Sequence, residues 1–270
     1  MGRLAERLAA LRERGEGALI PFITAGDPDL ATTEALIPVL EASGADALEL
    51  GVPFSDPIAE GPTIQRSSER ALASKTTLHR ILQLVKAVRP RVEMPIVLMG
   101  YANPFFTMGE ANFAAAAAEV GVDGVIVPDL PPEEGASFYD ALEAAGVAPV
   151  LLAAPTTTPE RLALLAARTR GFLYYVALTG VTGARAQVAA DLEAGVRRAR
   201  ELADVPVCVG FGISTPEQVA EIRRYADGVV VGSALVDRLA AEPDLAGKLA
   251  AAGEFVAALK APLRADAAKG

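Results

Sequence analysis

The 270-residue chain has little of what enzyme chemistry is usually built from, beginning with one histidine and one cysteine. A single cysteine cannot close an internal disulfide, which fits a reducing, cytoplasmic setting. His79 falls in the helix-patterned stretch TTLHRILQLVKAV; with no second histidine and no Cys-x-x-Cys, a metal site built from the usual ligands is not expected. Serine-based catalysis lacks its histidine partner for the same reason. Cys208, inside an apolar run, reads as a small core hydrophobe. The lysines (Lys75, Lys86, Lys248, Lys260 and Lys269) all sit in helix-patterned or terminal stretches, so no amine waits at a strand tip to form a Schiff base.

Positive charge is scarce as well. The net charge of −9 argues against a nucleic-acid surface, which needs a basic stripe. No stretch approaches the roughly eighteen apolar residues of a membrane span. The opening MGRLAERLAALRER is charged throughout and reads as an amphipathic helix rather than a signal peptide. There is no low-complexity run and no compositional shift that would mark a linker. Hydrophobic residues make up 51% and charged residues 22%, enough for a substantial core, and a single domain over residues 1–270 is expected.

What the chain does have is short apolar runs separated by helix patterns. Eight recur: ALIPFIT (18–24), DALELG (46–51), PIVLMG (95–100), DGVIVP (123–128), APVLLA (148–153), FLYYVAL (172–178), PVCVGFG (206–212) and DGVVVGS (227–233). Near-continuous apolarity is the mark of parallel strands covered on both faces. Between them lie helix starts: Asp27 or Asp29, Thr158 with Pro159, and Ser214 with Pro216 and a possible capping-box partner in Glu217. This alternation predicts a closed (β/α)₈ barrel with an extra N-terminal helix; a G-x-G-x-x-G after the first run, which an open doubly wound sheet would favour, is missing. Two connections, Gly51–Gly61 and Thr179–Asp191, are too long for plain turns and leave C-terminal strand ends, where barrels keep their chemistry.

With metal, amine and histidine chemistry set aside, carboxylates and tyrosines remain. Glu49 closes an otherwise apolar strand, and a charge placed inside a barrel needs a reason. Desolvation there would raise its pKa, so that it could donate a proton as well as accept one. Glu60 is a second acid, on the long loop. Asp129, at the tip of the fourth run, is either a third polar group or a helix cap. Alternation lets only one of Tyr174 and Tyr175 face inward, and Tyr101 is placed either to line the mouth or simply to pack. Glycine is the other signal. GFGIS (210–214), GS (232–233) and GVTG (180–183) lie where backbone N–H groups of such barrels hold a phosphate.

PFITAGDP, LELGVPFSDPIAEGPTIQ, GVTG, GFGIS and GSALV closely resemble, in order and along nearly the whole chain, the α chain of tryptophan synthase. The stretch from Glu49 to Gln65 is the most specific. The resemblance implies cleavage of indole-3-glycerol phosphate to indole and glyceraldehyde 3-phosphate. It implies no cofactor in this chain, and a partner β chain that carries pyridoxal phosphate, in an α-β-β-α heterotetramer. Position by position, it makes Glu49 the acid that passes a proton at indole C3 and Glu60 the carboxylate that holds the indole N–H. Phe22, Tyr101, Asp129 and Tyr174 fall on substrate-pocket positions, and Thr182 on a lid threonine. Gly183, Phe211, Gly212, Gly232 and Ser233 fall on the phosphate seat, and Asp56 on the loop that signals to the β chain.

Two positions depart from the family pattern. Glu60 stands where aspartate is typical, which leads one to expect that Glu60→Asp raises turnover. Ala177 and Leu178 stand where polar residues such as serine are common. A free-standing indole-forming lyase, or a weakened subunit kept to activate a β chain, are the readings that compete with an α chain at work in its complex.

Overall fold

The computed structural model describes residues 2–177, 185–210 and 212–265. Apolar runs buried on both faces become the strands: β1 (Ala18–Thr24), β2 (Leu48–Gly51), β3 (Ile96–Met99), β4 (Gly124–Ile126), β5 (Ala148–Pro149), β6 (Leu152–Ala153), β7 (Leu173–Val176), β8 (Val207–Gly210) and β9 (Gly228–Val231). All pair in parallel, in the order β5-β4-β3-β2-β1-β9-β8-β7-β6. The strands at the two ends of that order, β5 and β6, are halves of one apolar run. Pro149 has no N–H to give to a ladder, and the run is interrupted just after it, at residues 150–151. Its first half pairs with β4, and Val150 N–H donates to Val125 (2.9 Å); its second half pairs with β7, and Tyr174 N–H donates to Leu151 (3.0 Å). The ring therefore closes through residues 148–153 and makes the expected (β/α)₈ barrel.

The helices are α1 (Arg3–Glu13), α2 (Leu30–Ala42), α3 (Pro62–Ala73), α4 (Leu78–Val88), α5 (Ala102–Met108), α6 (Glu110–Val120), α7 (Ala136–Ala144), α8 (Pro159–Arg168), α9 (Arg185–Leu202), α10 (Pro216–Ile222), α11 (Ser233–Ala241) and α12 (Leu245–Lys260). Asp29, not Asp27, caps α2, and Thr158 caps α8. The cap of α10 is Thr215 rather than Ser214, and Gln218 rather than Glu217 completes its capping box. Pro216 occupies the first helical position, which puts the cap one residue before it. The loop after β2 runs as long as its sequence indicates. The one after β7 is shorter, because residues 185–191, expected to be loop, already belong to α9; residues 178–184 lie outside the described residues.

Two layers of core follow from the period-2 alternation of the strands. One side of each strand packs against the helices. The other fills the barrel with Ala18, Ile20, Val97, Ile126, Phe172 and Cys208. Leu4, Leu8 and Leu11, spaced along one face of α1, join this inner cluster and close the N-terminal end of the barrel. That end is also tied electrostatically. Lys260, nearly buried, donates to Asp46 (2.7 Å) and to the Gly17 carbonyl (3.0 Å), and Asp46 also accepts from Leu19 N–H (2.8 Å). With one end shut and pinned, the open C-terminal end is where a ligand enters. Among the described residues no helix is long and apolar enough to cross a membrane.

Candidate active site

Alternation decides where Glu49 points. Leu48 and Leu50 face the helices, so Ala47 and Glu49 face the barrel axis. Glu49 stands in register with Phe22 on β1 and Val97 on β3 and is 1% exposed. Its Oε2 has no hydrogen-bond partner among the described residues. Burial, and secondarily the charge of Glu60, push its pKa up to about 8. At neutral pH the group therefore holds its proton and can act as a donor.

Glu49 lies on a cavity of about 270 Å³ that also touches Phe22, Met99, Tyr174 and Val230 from the strands. Tyr174 is the inward member of the tyrosine pair, and Tyr175 packs in the outer core. Two glycines make room for the aromatic walls. A Cβ on Gly51 would come within 2.6 Å of Phe22 Cζ, and one on Gly210 within 2.2 Å of the Tyr174 hydroxyl. Gly210→Ala is therefore expected to force the Tyr174 ring off its seat, destabilising the chain by about 1–3 kcal/mol in thermal unfolding.

Just past the ends of β8 and β9 the cavity meets Gly212, Ser214, Gly232, Ser233 and Ala234. Helix α11 starts at Ser233, and its first bond to the Gly232 carbonyl comes only from Leu235 N–H (2.9 Å). The N–H groups of Ser233 and Ala234 precede that bond, an arrangement that favours an anion.

The loop after β2 brings in Glu60, partly buried, on a third side of the cavity with Gly61 and Ile64. Tyr101 donates its hydroxyl to Glu60 Oε2 and accepts from Ala59 N–H (2.8 Å). Burial raises the pKa of Glu60; the Tyr101 bond opposes that shift and the charge of Asp129 adds to it. Asp129 is exposed, and its Oδ1 accepts from Ala102 N–H (3.0 Å) at the start of α5. It is a cap, though of a neighbouring helix, and it does not line the cavity. Asp56 is exposed on the same loop as Glu60 and accepts from the Ser55 hydroxyl (2.5 Å). Thr182, Gly183 and Phe211 lie outside the described residues.

The cavity has further lining that sequence reasoning passed over. Met99 was readable, since it sits two residues after the inward Val97. Ile64 and Asp237 were not, because their phase on α3 and α11 depends on how those helices are packed. Asp237 accepts from the Thr63 hydroxyl (2.9 Å), joining the helix of the anion seat to the helix that follows Glu60. Among the described residues no group of three or more His, Cys, Asp or Glu is placed to hold a metal ion.

An apolar slot, a protonated acid at its floor, a carboxylate on its wall and an anion seat on its rim suit a flat aromatic substrate with a phosphate tail. A family model described as tryptophan synthase alpha chain matches residues 8–263. The chain belongs to that family. A tryptophan synthase alpha chain from Citrifermentans bemidjiense is 55% identical over 260 residues, covering 96% of this chain and 97% of that protein. One from Geobacter sulfurreducens is 56% identical over 236 residues, 87% of this chain and 89% of that one. A crystal structure of tryptophan synthase subunit alpha from Legionella pneumophila superposes with a TM-score of 0.89 at 39% identity, covering 97% of this chain and 98% of that chain. Tryptophan synthase from M. tuberculosis, in an aminoacrylate-bound form, gives 0.87 at 34% identity, covering 98% of this chain and all of that one. Alpha chains of tryptophan synthase are lyases that cleave indole-3-glycerol phosphate, and they carry no cofactor of their own; pyridoxal phosphate belongs to the β chain.

Proposed function

We propose that the lyase step is carried by Glu49 and Glu60, within a single-domain cytoplasmic chain that works beside a β chain. Protonated Glu49 gives its proton to indole C3, while the Glu60 carboxylate takes the proton from the indole nitrogen, producing the indolenine tautomer. Glu49, now a carboxylate, removes the proton from the glycerol hydroxyl next to C3. That hydroxyl becomes the aldehyde carbonyl, the carbon–carbon bond breaks, and its electrons restore the indole ring as Glu60 returns the proton to nitrogen. Both acids end as they began, and C3 has gained the hydrogen that the hydroxyl lost. The observation that carries this reading is a buried Glu49, its Oε2 without a partner among the described residues and its pKa about 8, on the same cavity as a second carboxylate. Two carboxyls in different surroundings divide acid and base work.

Phe22 and Tyr174 would sandwich the indole, and Gly212, Gly232 and Ser233 would hold the phosphate, with Phe211, Thr182 and Gly183 completing the seat and its cover. The β chain would dock at the rim near Asp56. Ile58, two residues on, is 84% exposed, an apolar side chain left in water on the loop that carries Glu60. The decisive experiment measures indole release from indole-3-glycerol phosphate by the purified chain, with and without a tryptophan synthase β chain. Weak release that the β chain stimulates is the expected result. Brisk release that ignores the β chain would mark a free-standing lyase, and activation of the β chain without any release would mark a regulatory subunit.

A further inference from the structure

Neither Tyr101 nor Asp129 lines the cavity that Glu49 and Glu60 share. Tyr101 lines an adjoining crevice of about 10 Å³, which shares Phe22, Glu60, Ile64 and Met99 with that cavity and is too small for a ligand. Its phenol is fully engaged, donating to Glu60 Oε2 and accepting from Ala59 N–H, and the Phe54 ring stacks on it with centroids 5.2 Å apart. Tyr101 is the residue that precedes α5, and the first peptide N–H of that helix, on Ala102, is held by Asp129. A side chain from β2's loop, one from the end of β3 and one from the end of β4 are thus joined in a row.

We infer that Tyr101 is a positioning residue for Glu60, and that Asp129 positions Tyr101 in turn, so that neither side chain touches substrate. This rests on the reading of Glu60 as the group that holds the indole N–H. Anchoring Oε2 on the phenol leaves Oε1 as the oxygen available to the indole nitrogen, and it fixes a side chain with one more rotatable bond than aspartate. The titratable groups around Glu60 are Tyr101, Asp129, Glu49 and Tyr174. The phenol favours the carboxylate form of Glu60, and the Asp129 charge disfavours it.

The two contacts therefore have opposite signatures in a pH–rate profile of indole release. Glu60 must be ionised to accept a proton, so its titration sets the acid limb. Tyr101→Phe removes one oxygen and is expected to lower kcat roughly tenfold, leave KM within about twofold, and move the acid limb up by roughly one pH unit. Asp129→Asn keeps an oxygen for Ala102 N–H and removes the charge, so its acid limb should move down by roughly half a unit. A residue that only supports the fold would reduce the active fraction and move neither limb. A loss confined to KM with an unmoved limb would show that Tyr101 contacts substrate and would overturn the inference, as would an unchanged profile in both variants. Should Tyr101→Phe fail to fold, Asp129→Ala, which removes the Ala102 contact as well as the charge, decides in its place, and a kcat equal to that of Asp129→Asn overturns the inference. Glu60→Gln separates the two levels. Full activity in that variant removes the role of Glu60 itself, whereas an inactive Glu60→Gln beside a silent Tyr101→Phe removes only the positioning role.

Discussion

Glu49→Gln is expected to lower indole release by about 10²–10⁴-fold, with substrate still bound, and to make the fold more stable at neutral and alkaline pH. The first effect follows from shape without a transferable proton. The second follows from linkage. In the unfolded chain the carboxyl titrates near 4.5, and in the fold near 8. Below 4.5 both states hold the proton and the fold has its full stability. As pH rises from 4.5 toward 8 the unfolded state releases its proton and the native state does not, so stability falls across that window and levels off above it. At about 1.36 kcal/mol per unit, the loss is on the order of 3 kcal/mol at pH 7. Glutamine has nothing to release. Denaturant unfolding at pH 5 and pH 8 should therefore show an advantage of the variant that widens with pH. An advantage that does not change with pH would mean that Glu49 ionises as it does in water, and the donor role would fall with it.

The same pKa shapes the activity of the unaltered chain. Glu49 must enter the cycle protonated, so release should decline above about pH 8, with Glu60 setting the decline on the acid side. Acid-limb effects of changes near Tyr101 can thus be read apart from anything done to Glu49.

Much of this arrangement was legible in the chain. Continuous apolar runs gave the strands because a parallel barrel covers both faces, and an acid between two leucines gave the direction of Glu49 because the leucines must face the helices. The long loop after β2 was visible as glycine and proline between a strand and a helix. Details that hung on one residue were not legible. Pro216 set the α10 cap at Thr215, and Pro149 split the fifth run. The start of α9 at Arg185 could not be placed, since AQVAADLEAGV carries no strong cap to mark it. Least legible were Tyr101 on Glu60, forty-one residues apart, and Asp129 on Ala102, twenty-seven apart. Such pairs exist only once the ends of β2, β3 and β4 stand side by side, and no local spacing encodes them.

That last contact changes what should happen on shortening Glu60. From the sequence, aspartate at this position should raise turnover by removing a methylene. The structure argues for the reverse. The Glu60 carboxylate is held by the Tyr101 hydroxyl, the same hydroxyl accepts from Ala59 N–H, and Gln65 Nε2 donates to the Glu60 carbonyl (2.9 Å), so backbone and side chain are fixed together. Aspartate would have to leave the phenol or drag the loop, a displacement of roughly an ångström, and such misplacement costs up to about 10²-fold in rate. Glu60→Asp is accordingly expected to lower kcat by about 10–10²-fold, and Glu60→Gln by about as much or more. In a Tyr101→Phe background the further loss from Glu60→Asp should be much smaller, because the anchor it breaks is already gone and changes within one network do not add. A rise in kcat for Glu60→Asp would show that the loop reseats freely, leaving the phenol contact without consequence for the reaction.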